Sequence, residues 1–224
     1  MDARARTQAA WTVGLYWGAI WGLYEATAGW LVHYLPRVPG TAGVVIIPFA
    51  VFCLDRALRS DGGARAVLIA AVTAASIKLV DFCLPAHTVL ATVNPAVSML
   101  LQGLAFSVVA SRLGLPRRVP SLRAAVLGIL AFSAGWRLVF LAYSLALAWG
   151  WSAGMLRDGL HTAAGFVLRD ALLSGAAVLA VMALVYRGRR PAAAPAPAPV
   201  PSRLLVTGVL LLAVAVEVAV GLAA

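Results

Sequence analysis

Lysine is almost absent from this chain. Of its 18 basic residues only Lys78 is a lysine, and the remainder are arginines. Acidic residues number eight, histidines three and cysteines two. Two cysteines, Cys53 and Cys83, are too few for a disulfide scaffold or a Cys-based metal site, and the topology argued below places them toward opposite faces. No GxxxxGK[ST], GxGxxG or GxSxG run occurs, so the chain is not its own ATPase, and HExxH is missing as well. Charged residues make up 12% against 62% hydrophobic, a ratio that would leave a soluble domain of this size with far too much apolar surface.

What the chain has instead is apolar length. Mean hydropathy is +0.93, and a bilayer span needs roughly 20 apolar residues, with about 17 to 25 tolerated. Seven segments qualify: about Trp11–Tyr34, Thr41–Ala57, Ala66–Leu84, Pro95–Leu113, Leu122–Trp149, Leu160–Tyr186 and Leu204–Leu222. The arginines fall between them with a strong bias. Arg4/Arg6, Arg56/Arg59/Arg65, Arg112/Arg117/Arg118/Arg123 and Arg187/Arg189/Arg190/Arg203 lie on one side, against only Arg37 and Arg157 on the other. Cytoplasmic loops collect basic residues, so the pattern predicts an N-terminus in the cytoplasm and, with seven spans, a C-terminus outside. The net charge of +10 is accounted for by loops that meet anionic headgroups. No basic stripe is interleaved with aromatics on a soluble module, so nucleic acid is not an expected partner; the lipid bilayer is. The bias toward Arg, Ala, Gly, Pro and Val is that of a GC-rich bacterial genome, which points to a bacterial inner membrane.

The expected fold is therefore all-α, a polytopic bundle. Pro36 and Pro39-Gly40, Asp61-Gly62-Gly63, and Pro116 with Pro120 fall at turns, and Asn94-Pro95 reads as an N-cap followed by proline at the first helical position. Arg4/Arg6 with Ala26-Thr27-Ala28 mimic a signal peptide, but the aromatic-heavy run and Glu25 argue for retention as a first span. A Pro/Ala run from Pro191 to Pro201 reads as a semi-rigid linker. This divides the chain into a six-span core over 1–187, a cytoplasmic linker over 188–203 and a seventh transmembrane helix over 204–224.

Two patterns bear on function. The first is charge inside the spans: Glu25, Lys78, Asp81, Arg137, Arg169 and Asp170, with Glu217 alone on the last segment. Each is costly in lipid and should face the bundle interior, a watery cavity or a partner. The first six sum to zero and lie in the outer half of the expected topology. They fit either an outward-open polar ligand site, with Trp21, Trp30 and Phe82 as apolar walls, or buried ion pairs that set helix register. The second is a stripe of small residues at four-residue spacing, Ala10, Gly14, Gly18, Gly22 and Ala26. Such a stripe lets another helix approach closely, and it serves either a neighbour in the same chain or a partner protein.

His33, His87 and His161 all map to the outer face, where they could ligate zinc, copper or haem, or join Asp81 or Asp158 in an extracytoplasmic enzyme. No close ligand spacing supports this, and the sequence identifies no cofactor. Asn94-Pro95-Ala96 matches half of a water-channel signature, which needs two such motifs.

Together the small-residue stripe and the outer-half charges resemble the substrate-capture (S) subunits of energy-coupling-factor transporters, over about residues 9–187. The segments Trp21-Gly-Leu-Tyr-Glu-Ala-Thr and Ala75-Ser-Ile-Lys-Leu-Val-Asp-Phe add a likeness to bacterial membrane proteins without naming a ligand. The resemblance implies a six-helix fold, a small-molecule ligand held in the outer half, and a coupling membrane subunit with separate ATPases that docks on the first-helix stripe. The chain departs from it in the seventh helix and in lacking a vitamin-specific signature. The expected function is capture of a small solute from outside; a membrane-embedded enzyme and a non-catalytic assembly protein are the other readings of the same residues. A phosphatase reporter active only outside the cytoplasm is expected to be silent when fused after Gly62 or Arg118 and active after Pro36 or Thr88. The reverse pattern would overturn the orientation.

Overall fold

A computed structural model describes residues 3–32, 40–60, 62–84, 89–115, 120–148, 160–187 and 200–223. Among the described residues every regular element is helical. Helix α1 runs Ala3–Tyr24 and continues through a π-helical turn, Glu25–Gly29, into Trp30–Val32. Helix α2 is Thr41–Leu58; α3 is Gly63–Lys78, closed by a 3-10 turn at Leu79–Cys83. Helices α4 and α5 are Val89–Leu113 and Leu122–Ala148. Helix α6 starts at Leu160–Ala164, passes through a second π turn, Gly165–Arg169, and completes as Asp170–Tyr186. Helix α7 is Arg203–Ala223.

Six helical stretches are long and apolar enough to cross a membrane: Thr41–Leu58, Gly63–Cys83, Val89–Leu113, Leu122–Leu147, His161–Tyr186 and Arg203–Leu222. The protein is a multi-pass helical bundle suited to a lipid bilayer. The first expected span is the exception. Helix α1 starts at Ala3 rather than near Trp11, and Thr7, Gln8, Thr12 and its glycines dilute its hydropathy. It needs less apolar surface because so much of it meets protein: α2, α3 and α7 all pack on it.

The α1–α3 contact is the most extensive in the bundle, and the small-residue stripe makes it. A methyl group built on Gly18 would lie 2.5 Å from the Ala70 carbonyl oxygen, one on Gly14 2.6 Å from Ile69 Cβ, and one on Gly22 2.7 Å from Ile77 Cδ1. Ala10 faces Gly62 across the same seam, and Ala26 is buried in the π turn. Of the two uses open to the stripe, the structure shows the contact inside the chain. The pairings 10 with 62, 14 with 66 and 22 with 77 make α1 and α3 parallel.

Around this seam the remaining helices alternate in direction. Trp17 meets Phe52 and Tyr24 stacks on Phe49, so α2 is antiparallel to α1. Gly103 faces Ala71 between α4 and α3, Gly128 faces Leu113 between α5 and α4, and Gly175 faces Leu130 between α6 and α5. The α6 helix returns to α2, closing a ring in the order α1, α3, α4, α5, α6, α2. Helix α7 lies outside the ring against α1, where Ala19, Ile77 and Ala213 form a small separate core. Every described arginine at a helix end, from Arg4 to Arg203, thus sits at one end of the bundle.

Two local expectations change. Asn94-Pro95 does not open α4, which begins at Val89 and carries Pro95 inside it. Asn94 instead accepts a hydrogen bond from the Tyr143 hydroxyl of α5 at 3.3 Å, so its side chain joins two helices rather than capping one. Gly40 precedes α2 with φ of 90°, and a Cβ there would lie 3.0 Å from Asp170 Oδ1, so both backbone and space demand glycine. Residues 188–199 of the expected linker, His33, His87 and Trp149 at the end of the fifth expected span lie outside the described residues. Replacing Gly18 with Leu is expected to cost about 1–3 kcal/mol or to abolish folding, through overpacking of the α1–α3 seam. Gly208→Ala on α7, where no atom lies within 4 Å of the added methyl, serves as the neutral control; thermal unfolding in detergent reads both.

Candidate functional site

The charges within the helices assemble into two groups on different helix sets. Lys78 ends α3, where its ammonium meets Asp81 Oδ2 in the 3-10 turn at 2.7 Å and Glu217 Oε1 of α7 at 2.7 Å. The i,i+3 spacing of Lys78 and Asp81 sets the first contact, and the parallel packing of α7 on α1 and α3 delivers the second. Glu25, the first residue of the π turn in α1, is close enough to feel the Lys78 charge. Asp81 is fully buried and Glu217 is 3% exposed. Two carboxylates therefore pair with one ammonium, with Glu25 acting on it from the π turn, and Asp81 and Glu217 also act on each other. Glu217 joins this group through the packing of α7, which spacing along the chain does not reveal; its charge in an otherwise apolar helix is the signal the sequence carries.

The second group centres on Arg137, in the middle of α5 and 1% exposed. Its Nη1 donates to the Ser133 carbonyl at 2.8 Å and its Nη2 to Ser174 Oγ of α6 at 3.0 Å. The guanidinium lies over the Trp136 ring at 4.6 Å and 5.6 Å from the Phe166 ring of the second π turn. All its described hydrogen-bond partners are neutral. Asp170 acts on it electrostatically but spends its hydrogen bond on Arg169 Nε at 2.8 Å, a pair with Arg169 half exposed and worth little. Ser133, Trp136 and Arg137 share one face of α5 by their i, i+3, i+4 spacing. Each keeps a buried polar atom, Ser133 Oγ, Trp136 Nε1 and Arg137 Nε, with no hydrogen-bond partner among the described residues. Trp21 Nε1 in α1 and Gln102 Oε1 in α4 are in the same condition.

The six charges expected in one cavity thus separate, Glu25, Lys78 and Asp81 on the α1/α3/α7 side and Arg137, Arg169 and Asp170 on the α5/α6 side. The expected apolar walls also part company: Trp21 is wholly buried in the core, while Phe82 is 51% exposed. A third charged contact lies at the arginine-rich end. Asp55 of α2, 2% exposed, takes Arg59 Nε at 2.8 Å and the Tyr186 hydroxyl of α6, with Arg59 also 4.9 Å over the Tyr186 ring. Sequence reasoning passed over Asp55, although the i,i+4 spacing to Arg59 was there to be read. This tie fastens the ends of α2 and α6.

Of the histidines, His161 is exposed at the start of α6, and the other two fall outside the described residues. Among the described residues no three His, Cys, Asp or Glu side chains converge to hold a metal ion. Cys53 is buried in α2 and Cys83 is exposed beyond α3, both as free thiols.

Lys78→Met would remove the ammonium that buried Asp81 and Glu217 share and is expected to cost about 3–5 kcal/mol. Adding Asp81→Leu and Glu217→Leu should recover most of that loss. A triple variant no more stable than Lys78→Met would show that α7 is not held through this pair; thermal unfolding of the three proteins decides. Comparison with protein-family models, with curated proteins and with solved structures returns no match to this chain.

Proposed function

We propose that this chain is a membrane-embedded solute-binding subunit of a transport system, taking a small molecule that carries an anionic or strongly hydrogen-bond-accepting group. The observation that carries the reading is the buried donor face of α5. Ser133, Trp136 and Arg137 hold three polar atoms unpartnered among the described residues, and a guanidinium whose described hydrogen bonds all go to neutral oxygens. A buried polar group left without a partner costs about 1–3 kcal/mol, and such groups call for an explanation in a ligand, an ion or water. A carboxylate or phosphate oxygen matches the face, because it accepts from N–H and O–H donors and neutralises the arginine.

In this reading Asp170 and Arg169 form the rim of the site. Lys78 with Glu25, Asp81 and Glu217 makes a second charged centre that ties α7 to the rest. The arginine-rich end is cytoplasmic in a bacterial inner membrane, the N-terminus is inside, and the solute arrives from the opposite face. Residues 1–187 form the six-helix unit and α7 is joined to it through the 188–203 linker. Lacking a nucleotide motif, the subunit draws on an ion gradient or on separate ATPases through a coupling subunit, as in the energy-coupling-factor transporters it resembles. Since α3 covers the Gly14–Gly22 stripe, that subunit would grip another surface.

Mass spectrometry of the small molecules released from protein purified in mild detergent tests this. An anionic metabolite is expected with the wild type, depleted about tenfold or more in Trp136→Phe, which removes only one N–H, and in Arg137→Gln, with folding retained. A wild type free of any such metabolite, together with an Arg137→Gln variant more stable than wild type, would assign Arg137 a purely structural role.

A further inference from the structure

Glu217 is the single acidic residue of α7, and it is buried with only one of its carboxylate oxygens engaged. Oε1 meets the Lys78 ammonium at 2.7 Å, whereas Oε2 is buried with no hydrogen-bond partner among the described residues. A buried carboxylate oxygen without a donor is destabilising, and a charge among apolar helices needs a counter-charge. Lys78 does not serve Glu217 alone, because Asp81 Oδ2 lies 2.7 Å from the same nitrogen. Oxygens that each sit at that distance from one nitrogen are at most twice as far apart. The Asp81 and Glu217 carboxyl groups therefore crowd each other, within hydrogen-bonding reach.

The charged groups around Glu217 can be followed element by element, since α7 packs on α1 with its π turn and on α3 with its 3-10 turn. From α3 and the 3-10 turn Lys78 and Asp81 face it, and from the π turn Glu25 acts on the same Lys78. Tyr24 turns away to α2, where its hydroxyl donates to the Val45 carbonyl at 3.2 Å, and Cys83 is exposed. Arg203 shares the helix with Glu217 but lies roughly 21 Å from it, at about 1.5 Å per residue. Among the described residues Lys78 is thus the one cation that acts on Glu25 and on Glu217. Two carboxylates exceed that one ammonium, whatever further group Asp81 meets.

We propose that the Lys78 group binds one exchangeable proton, carried on Glu217 Oε2, and that this proton helps fasten α7 to α1 and α3. The proton adds to the carboxylate from water, and no other bond breaks. It removes the excess charge and turns Oε2 into a donor for the neighbouring Asp81 carboxyl group. Glu25 suits the role less, since it is only half-buried. A metal cation also suits the group less. Hard cations take six or more oxygens, and among the described residues no three His, Cys, Asp or Glu side chains converge; a proton needs one oxygen and an acceptor. Access is short: the Lys78 side chain is 19% exposed, and Glu217 lies roughly 9 Å from the end of α7 opposite Arg203. Burying apolar surface gives no driving force in lipid, so this polar contact adds to the small core of Ala19, Ile77 and Ala213 in holding α7. The site shares no residue with the solute site proposed above and is independent of it.

Difference infrared spectroscopy of the full chain in detergent, from neutral to alkaline pH, is the test. A protonated-carboxyl C=O band is expected at neutral pH, lost as pH rises with release of one proton per chain. Glu217→Gln, which has the shape of the protonated side chain, should fold and lack the band. The native state then holds one proton more than the unfolded chain, so the wild-type folding equilibrium should fall by up to about tenfold per pH unit where the band disappears. In Glu217→Gln that dependence should be absent. Should Glu217→Gln not fold, Glu25→Gln removes one of the two competing carboxylates and should move the loss of the band to lower pH. Absence of the band from the wild type at neutral pH, its survival in Glu217→Gln, or its unchanged pH profile in Glu25→Gln would each overturn the proposal. So would its removal at fixed pH by sodium chloride but not by choline chloride, which would assign the site to a metal cation.

Discussion

Where α1 meets α3, little but hydrogen atoms and methyl groups separates the two backbones. In a bilayer there is no hydrophobic gain from hiding leucine from lipid, so helices associate through close packing. The seam from Ala10 to Gly22 supplies it, and the positions of other elements follow. It makes α1 and α3 parallel and brings the π turn of α1 beside the end of α3. It also forms the surface on which α7 lies through Ala19, Ile77 and Ala213. Without that approach Glu25 and Glu217 would not share the neighbourhood of Lys78.

The polar interior shows two distinct ways of carrying charge among apolar helices. On the α1/α3/α7 side the ammonium is met directly by carboxylates at ion-pair distance, so much of the desolvation cost is offset within the chain. On the α5/α6 side the guanidinium is held by a carbonyl, a hydroxyl and two aromatic rings, and its Nε has no hydrogen-bond partner among the described residues. Tyr186, Asp55 and Arg59 belong to the first kind and fasten the opposite end of the bundle. This contrast separates a charge paired inside the chain from one held by neutral groups.

Much of the fold is legible in the sequence because apolar length and the four-residue stripe are properties of single helices. Thr41–Leu58 and Leu160–Tyr186 differ by a residue or less from the segments read off hydropathy. Local rules failed where tertiary contacts outweighed them. Asn94-Pro95 looks like a helix start, yet Asn94 finds its partner on α5 and the helix extends a turn and a half before it. The low hydropathy of α1 comes from Thr7, Gln8, Thr12, its Trp and Tyr residues and, less, its glycines, and is offset by the packing of α2, α3 and α7 on it. The separation of six charges into two groups depends on the ring order of the helices, which depth along each span does not encode. Asp55 was overlooked because it adjoins the Arg56/Arg59 cluster and so reads as loop charge, though it is buried.

The breaks in helical regularity are not evenly spread. The two π turns, Pro48 in α2 and Pro95 in α4 all lie in the half of the bundle away from the arginine-rich end. Each removes or misaligns a backbone hydrogen bond, and helices bend at such points. The α1–α3 seam ends at Gly22, just short of the first of them. The molecule is accordingly anisotropic in stiffness. One leaflet holds a rigid base of unbroken helix and glycine contact, and the other holds four helices jointed at similar depth. Bending at those joints would reshape the surroundings of Lys78 and Arg137 while leaving the base undisturbed.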